Sequence, residues 1–120
     1  MGAVFANNAA TTLAYPLSAG DGAVSVTSSA AFPVLTGDDY FLATLIGLDG
    51  NNNETAWEIV KVVSVTGTTW IIERAQEGTT ADNWPQATRI ELRLTAGQLI
   101  SVTQFIAALD DAETFALVGI

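Results

Sequence analysis

The chain has 120 residues, 49% of them hydrophobic, and its 13 acidic against 4 basic side chains give a net charge of -9. A surface this acidic repels phosphate backbones, which argues against nucleic-acid binding. Because the chain contains no cysteine and no histidine, disulfides, thiolate metal sites and histidine-based acid–base catalysis are excluded.

The share of charged residues is low for a soluble protein. They make up 14% of the chain, against a typical share of about 25%. We therefore expect part of the surface to be buried against other subunits. The alternative is a β protein whose many Thr, Ser and Asn side chains solvate it well. One domain is expected, because no Pro/Gly-rich linker interrupts the chain.

No targeting or membrane segment is evident in the sequence. No apolar run approaches the roughly 20 residues needed to span a bilayer. The first residues lack the basic and apolar regions of a signal peptide, so we expect none.

The first third of the chain predicts an arm followed by two short strands. Residues 1–10 are small and of mixed polarity, as in an extended terminal arm. Residues 11–17 alternate in polarity, which predicts a strand, and Pro16 places it at a sheet edge. Residues 23–27 predict a second strand, after a turn rich in glycine. The side chains expected on one side of these strands are Leu13, Tyr15 and Leu17, then Val24 and Val26.

The middle of the chain predicts a core strand and then a hairpin. Phe32 and Pro33 are expected to plug the end of the core. Residues 40–46 form a nearly continuous apolar run, which predicts a strand covered on both faces. Residues 57–65 and 70–74 are rich in β-branched and aromatic side chains, and the Thr-Gly-Thr-Thr turn between them predicts a hairpin.

A third strand of this group is predicted over residues 89–94. Polar and apolar side chains alternate there without error, which places Ile90, Leu92 and Leu94 on one face. An ordered loop over residues 75–85, with a glycine, a proline and Trp84, connects it to the hairpin.

After residue 94 the pattern changes from strand to helix. Thr95 and Gln98 form a capping-box pair, and apolar residues then recur with a period of about 3.6. A helix over residues 95–110 follows, and residues 111–120 form an apolar tail that we expect to add a strand within the protomer or to a neighbour. The apolar side chains of helix and tail are expected to form an interface: Leu99, Val102, Phe105, Ile106, Leu109, Phe115, Leu117, Val118 and Ile120.

Together these elements predict an all-β fold. We expect a small barrel or sandwich of about six to eight short strands, with one C-terminal helix and an extended apolar tail. The arm covers residues 1–10, the β domain residues 11–94, the helix residues 95–110 and the tail residues 111–120.

Several pieces of the sequence occur together in a known module. EIVKV, a short turn, a strand ending in Arg, QEGTTA, an aromatic before a proline, and RIELRLTA follow one another between residues 58 and 96. In this order they resemble a small β-rich module of structural proteins of tailed bacteriophages and prophages, of the tail-fibre N-terminal or anchor type. Residues 10–33 also resemble the beginning of that module.

The resemblance implies a structural role in a virion, assembled in the cytoplasm of the host bacterium. The chain is then expected to anchor tail fibres or to form part of the tail, baseplate or adaptor, through contacts with other virion proteins and with copies of itself, as a trimer or hexamer. The alternatives are a capsid decoration protein that stabilises the head and, of another class, a glycan-binding module. No contact with nucleic acid or membrane is expected.

Catalytic, metal and cofactor sites are not expected. Asp49, Asn51, Asn53 and Glu54 resemble the opening of a calcium loop, but the glycine and the bidentate acid of that motif are missing, so a solvated turn is favoured. Adjacent aspartates, at residues 38–39 and 110–111, point to opposite faces of a strand, and no nucleophile stands beside a base. We therefore predict that the protein is not an enzyme.

Two groups remain as candidate binding residues. The three tryptophans, Trp57, Trp70 and Trp84, are typical of either a sugar-stacking platform or packing at the ends of a β core, and core packing is favoured. The loop around Gly78 is expected to be rigid, because glycine supplies a positive φ and threonines bond the local backbone. Its function would be docking, carried by Gln76, Glu77, Gly78, Thr79 and Thr80.

Overall fold

The computed structural model describes residues 2–100, which form a small all-β fold with the start of one helix. Six antiparallel strands make a single sheet curved into a half-barrel, which confirms the predicted small all-β fold. The strands are β1 (Ala10–Thr12), β2 (Ala23–Ser25), β3 (Phe41–Leu48), β4 (Glu54–Thr66), β5 (Thr69–Gln76) and β6 (Arg89–Glu91).

The two edges of the sheet are linked to each other. The strand order is β1-β6-β3-β4-β5-β2, so β1 and β2 lie at opposite edges. Just beyond them Leu13 pairs with Val26 in an isolated antiparallel bridge, and the Thr27 N–H donates to the Thr12 carbonyl at 2.9 Å. The curvature of the sheet follows from this closure, because a flat sheet would keep its edges apart.

The hairpin of β4 and β5 is confirmed and is longer than the sequence predicts. Gly67 adopts a φ of 61° in the tight turn, a conformation that glycine adopts without a Cβ clash. β3 pairs with the other edge of β4. Residues 41–46 of β3 are all buried, which confirms the predicted strand covered on both faces.

The core at one end of the half-barrel is aromatic. Phe32, Phe41 and Trp70 pack with ring centroids 4.8 to 5.5 Å apart, a separation at which aromatic pairs attract one another. The Trp70 indole N–H donates to the Ser29 hydroxyl at 2.8 Å, so its one polar atom is satisfied. Phe32 therefore fills the core end as predicted.

Two of the strand predictions are wrong in detail. Tyr15, expected on the face of Leu13 and Leu17, is 68% exposed while both leucines are buried. The chain bends at residues 14–15, just before Pro16, and the bend breaks the alternation. Leu94 is 62% exposed, because β6 ends at Glu91 and the strand period ends with it.

The predicted helix begins where the capping box places it. The Gln98 N–H donates to the Thr95 hydroxyl at 3.1 Å, and the Thr95 N–H donates to the Gln98 side-chain oxygen at 3.2 Å, so each satisfies an orphan donor of the other. Residues 96–100 are helical. The remainder of the predicted helix and the tail lie outside the described residues. No helix within residues 2–100 is long and apolar enough to cross a bilayer.

Candidate functional site

The inner face of β4 carries a carboxylate among core side chains. Glu58, Val60 and Val62 alternate with outward residues along the strand, and all three are 0% exposed. Glu58 lies directly opposite Leu45 of β3. A buried carboxylate is costly unless it is paired and hydrogen-bonded, so its partners define the local structure.

Glu58 accepts five hydrogen bonds. Arg74 donates from Nε to Oε2 at 2.7 Å and from Nη2 to Oε1 at 2.9 Å, a two-point ion pair. The indole N–H of Trp84 donates to Oε1 at 2.9 Å. Two backbone N–H groups complete the set at 3.1 Å, from Ala75 to Oε2 and from Asp82 to Oε1.

The guanidinium of Arg74 also donates hydrogen bonds to backbone carbonyls. Its Nη1 donates to the carbonyls of Ser18 and Asp21 at 2.6 and 3.2 Å, and its Nη2 donates to the carbonyl of Asp82 at 2.7 Å. With the two bonds to Glu58, all five N–H groups of the guanidinium are engaged. One side chain thereby ties β5 to the turn after residue 17 and to the loop before Trp84.

The charge state of Glu58 follows from these contacts. Burial raises the pKa of its carboxyl, but the hydrogen bonds from Arg74, Trp84, Asp82 and Ala75 outweigh that effect and hold the pKa below its ordinary value. The carboxylate is therefore ionised at neutral pH with all of its strong acceptor positions occupied. Glu58 is the only buried acidic side chain within residues 2–100, and it has no capacity left to act as a general base.

The loop after β5 is held in an unusual backbone conformation. Ala75, Glu77 and Gly78 have φ values of 55°, 53° and 81°, in the left-handed region that costs an L-residue roughly 1–2 kcal/mol. The Thr79 N–H and hydroxyl both donate to the Gln76 carbonyl, at 3.0 and 2.7 Å. Gly78 therefore has the positive φ, and Thr79 the local backbone bonds, that the sequence predicts.

Glu77 links this loop to the start of the helix. Its carboxylate accepts a hydrogen bond from the Thr95 hydroxyl and another, at 2.8 Å, from the Gly97 N–H. A carboxylate at a helix N-terminus is favoured by the exposed N–H groups and the helix dipole. Of the predicted docking residues, Glu77, Gly78 and Thr80 are exposed, and Glu77 contacts the helix of its own chain.

A second charged group lies beside the start of β4. Arg93 donates two hydrogen bonds to the Glu54 carboxylate, at 2.9 and 2.8 Å. Glu91 forms ion pairs with Arg93 at 3.0 Å and with Arg89 at 2.7 Å. The hydrogen bond from Arg93, then that from Trp57, lower the pKa of Glu54 to about 2. Two acidic and two basic side chains compensate one another here, so this part of an acidic protein is locally neutral.

The three tryptophans do not form a common platform. Trp70 and Trp84 are buried, at 0% and 6% exposure, and Trp57 is 49% exposed. The indole N–H of Trp57 donates to Glu54 at 2.9 Å. Core packing therefore holds for two of the three, and the exposed one has its donor already engaged.

The loop at residues 49–53 is a self-contained turn. Asp49 Oδ1 accepts hydrogen bonds from the N–H groups of Asn51 and Asn53 at 2.8 and 2.9 Å, and these bonds lower the pKa of the Asp49 carboxyl. Residues 2–100 contain no cluster of three acidic side chains that could hold a metal ion. The bonds to Asp49 make this loop a polar turn, as the sequence favours.

The predicted interface falls mainly outside the described part of the chain. Leu99 lies at its end and is 54% exposed. The other members lie beyond residue 100: Val102, Phe105, Ile106, Leu109, Phe115, Leu117, Val118 and Ile120.

From the sequence, Glu58 is expected to pair across strands with one of four basic residues, Lys61, Arg74, Arg89 or Arg93. The structure selects Arg74 and buries the carboxylate, which the sequence does not predict. The available signal was parity, because Glu58 shares its strand face with Val60 and Val62. The sequence places Glu54 in the preceding turn and does not predict its pairing with Arg93, because the two are 39 residues apart.

Comparison with known proteins adds no relative: no family model matches the chain, and no curated protein matches it.

Proposed function

We propose that this protein is a structural subunit of a tailed-bacteriophage virion, which anchors tail fibres or forms part of the tail, baseplate or adaptor through protein–protein contacts. The observation that carries the proposal is the convergence of the phage-like motif residues on one rigid arrangement. Glu58, Arg74, Ala75 and Trp84 all belong to the resembling stretch, and all meet at the buried carboxylate.

That arrangement serves architecture and leaves no reactive group free. Every strong donor of Arg74 and the acceptors of Glu58 are directed at other parts of the same chain. Such a network fixes one loop geometry, as a module that must present a constant surface to its neighbours requires. The low charged fraction, 14%, supports a surface that is partly covered in an assembly.

The experiment is deletion of the gene from the phage that carries it, followed by imaging and adsorption assays. Full heads that fail to adsorb to host cells, with fibres missing from the tail, are the expected result. Fragile heads with normal adsorption would contradict the tail assignment and favour the capsid decoration role. Binding of the purified chain to a glycan array, with no change in virions, would contradict a structural role altogether.

A further inference from the structure

The start of β4 has a free edge. β5 pairs with β4 as far as Ile59, which lies opposite Gln76, and the chain then leaves the sheet. On its other side β4 continues to pair with β3, with Trp57 opposite Ile46 and Ala56 opposite Gly47. Residues 55–57 therefore lie in a strand with one neighbour, and all three are exposed in the single chain.

Main-chain N–H and C=O groups at this edge point away from β3, toward the open side of β4. The Ile59 N–H donates to the Thr79 hydroxyl at 3.1 Å, on the side of β4 that faces away from β3. In an antiparallel ladder the N–H and C=O groups of residues two apart point the same way. The N–H and C=O of Trp57 thus face the open side, where within residues 2–100 no strand lies beside them.

The surface around the edge suits an uncharged strand. Two copies of a chain with a net charge of -9 repel each other, so contact between them requires a locally neutral region. Glu54 supplies one next to Trp57, because it accepts the indole N–H and its charge is compensated by Arg93. Arg89 and Glu91 of the same ion-paired group lie on β6, across β3 from the open edge. The half-exposed indole adds an apolar surface on which a side chain can pack.

We propose that this edge receives residues 114–120 of a second copy of the chain as an added β-strand. The sequence Thr-Phe-Ala-Leu-Val-Gly-Ile carries no charge, and its apolar and β-branched content favours a strand. The main-chain groups of Trp57 supply hydrogen bonds, and the indole supplies a packing surface. The inference rests on the proposed function, because it assumes that copies of the chain assemble.

The chain has the reach for such an exchange. Gly97 contacts Glu77, which follows Gln76, the partner of Ile59, so the described chain ends near the open edge. Of the thirteen residues between Ile100 and Thr114, the ten in the predicted helix span about 15 Å, and the other three add up to about 10 Å when extended. The occupant is assigned to another copy because the proposed function has copies of the chain assemble.

Cysteine cross-linking of the full chain tests this directly, since the protein has no cysteine of its own. Thr55→Cys protein is mixed with variants that carry a single cysteine at one of residues 114–118, and the mixture is oxidised. The matched control is Thr69→Cys, an exposed threonine whose strand has neighbours on both sides. At least about tenfold more mixed disulfide with Thr55→Cys is expected, because pairing raises the effective concentration of the thiols.

Three results would overturn the inference. Equal cross-linking by the Thr55→Cys and Thr69→Cys proteins would show that the edge is not the acceptor. A disulfide formed only within one chain, in a variant carrying both cysteines at high dilution, would show that the segment belongs to the same copy. If the cross-link does not form, light scattering gives the oligomeric state. An oligomer then overturns the added strand alone, whereas a monomer at all concentrations also contradicts the self-assembly assumed in the proposed function.

Discussion

Arg74 donates two hydrogen bonds to Glu58, at 2.7 and 2.9 Å, and the carboxylate that receives them is completely buried. Removing one member of such a pair leaves the other charged in the interior, which costs about 3–5 kcal/mol. We therefore expect Glu58→Gln to lower the free energy of unfolding by about that amount. Urea denaturation followed by tryptophan fluorescence measures it.

The control for that substitution is Glu73→Gln, the same change at the exposed neighbour of Arg74 on β5. Its effect should lie within about 0.5 kcal/mol of zero. The double variant Glu58→Gln/Arg74→Met should recover part of the loss, since no charge is then left buried. Equal stability of the Glu58→Gln and Glu73→Gln variants would contradict a structural role for the pair of Glu58 and Arg74.

Acid should weaken the protein through carboxylates whose pKa values are depressed. The pKa of Glu54 falls from 4.5 to about 2 because of Arg93 and then Trp57. A depressed pKa contributes stability that is present above the unfolded value and is lost as the pH falls toward the folded one. The Glu54→Gln variant should therefore be less stable than the parent above about pH 4.5, and the difference should disappear as the pH falls through about 2.

Salt distinguishes the exposed carboxylate from the buried one. The group around Glu54 is about a third exposed, so its contribution should shrink at high ionic strength. The contribution of Glu58 should persist, because buried pairs are screened much less. Thermal melts of the parent, Glu54→Gln and Glu58→Gln proteins at low and high salt measure both contributions. An equal salt response of the Glu54→Gln and Glu58→Gln proteins would contradict this distinction.

The sequence predicts those elements whose structure is set by interactions between residues close in the chain. Local patterns suffice for the β4–β5 hairpin and for the Thr95 cap, because turn chemistry and side-chain parity act over a few residues. The partner of Glu58 could not be chosen from sequence. Register shifts in the β4–β5 pairing and the left-handed residue Ala75 decide that Arg74 faces it.

The buried tryptophan and the exposed one should respond differently to truncation. Trp84 is 6% exposed and donates to Glu58, so Trp84→Ala should cost about 3–5 kcal/mol. Trp57→Ala should cost far less, because Trp57 is half exposed and pairs only with a surface carboxylate. Chemical denaturation compares them; a larger loss at Trp57 would indicate that the start of β4 supports the core.

Gly78 and Gly20 test the strain in the loop after β5. Neither has a neighbour within 4 Å of an added Cβ, but Gly78 has a φ of 81°. Gly78→Ala should therefore destabilise the fold by roughly 1–2 kcal/mol through backbone strain. Gly20→Ala should be neutral or slightly stabilising, because it restricts the unfolded chain. Comparable losses at both positions would show that packing, and not φ, sets the requirement for glycine.

Gly97 should respond to alanine with opposite signs in two backgrounds. A Cβ at this position would lie 2.6 Å from the Glu77 carboxylate, so Gly97→Ala should displace that carboxylate from the helix N-terminus and cost about 0.5–2 kcal/mol. In a Glu77→Ala background no such contact exists, and the higher helix propensity of alanine should stabilise the helix by up to about 1 kcal/mol. Amide hydrogen exchange at residues 97–100 and global denaturation measure the two effects. The same sign in both backgrounds would mean that Glu77 does not cap the helix in solution.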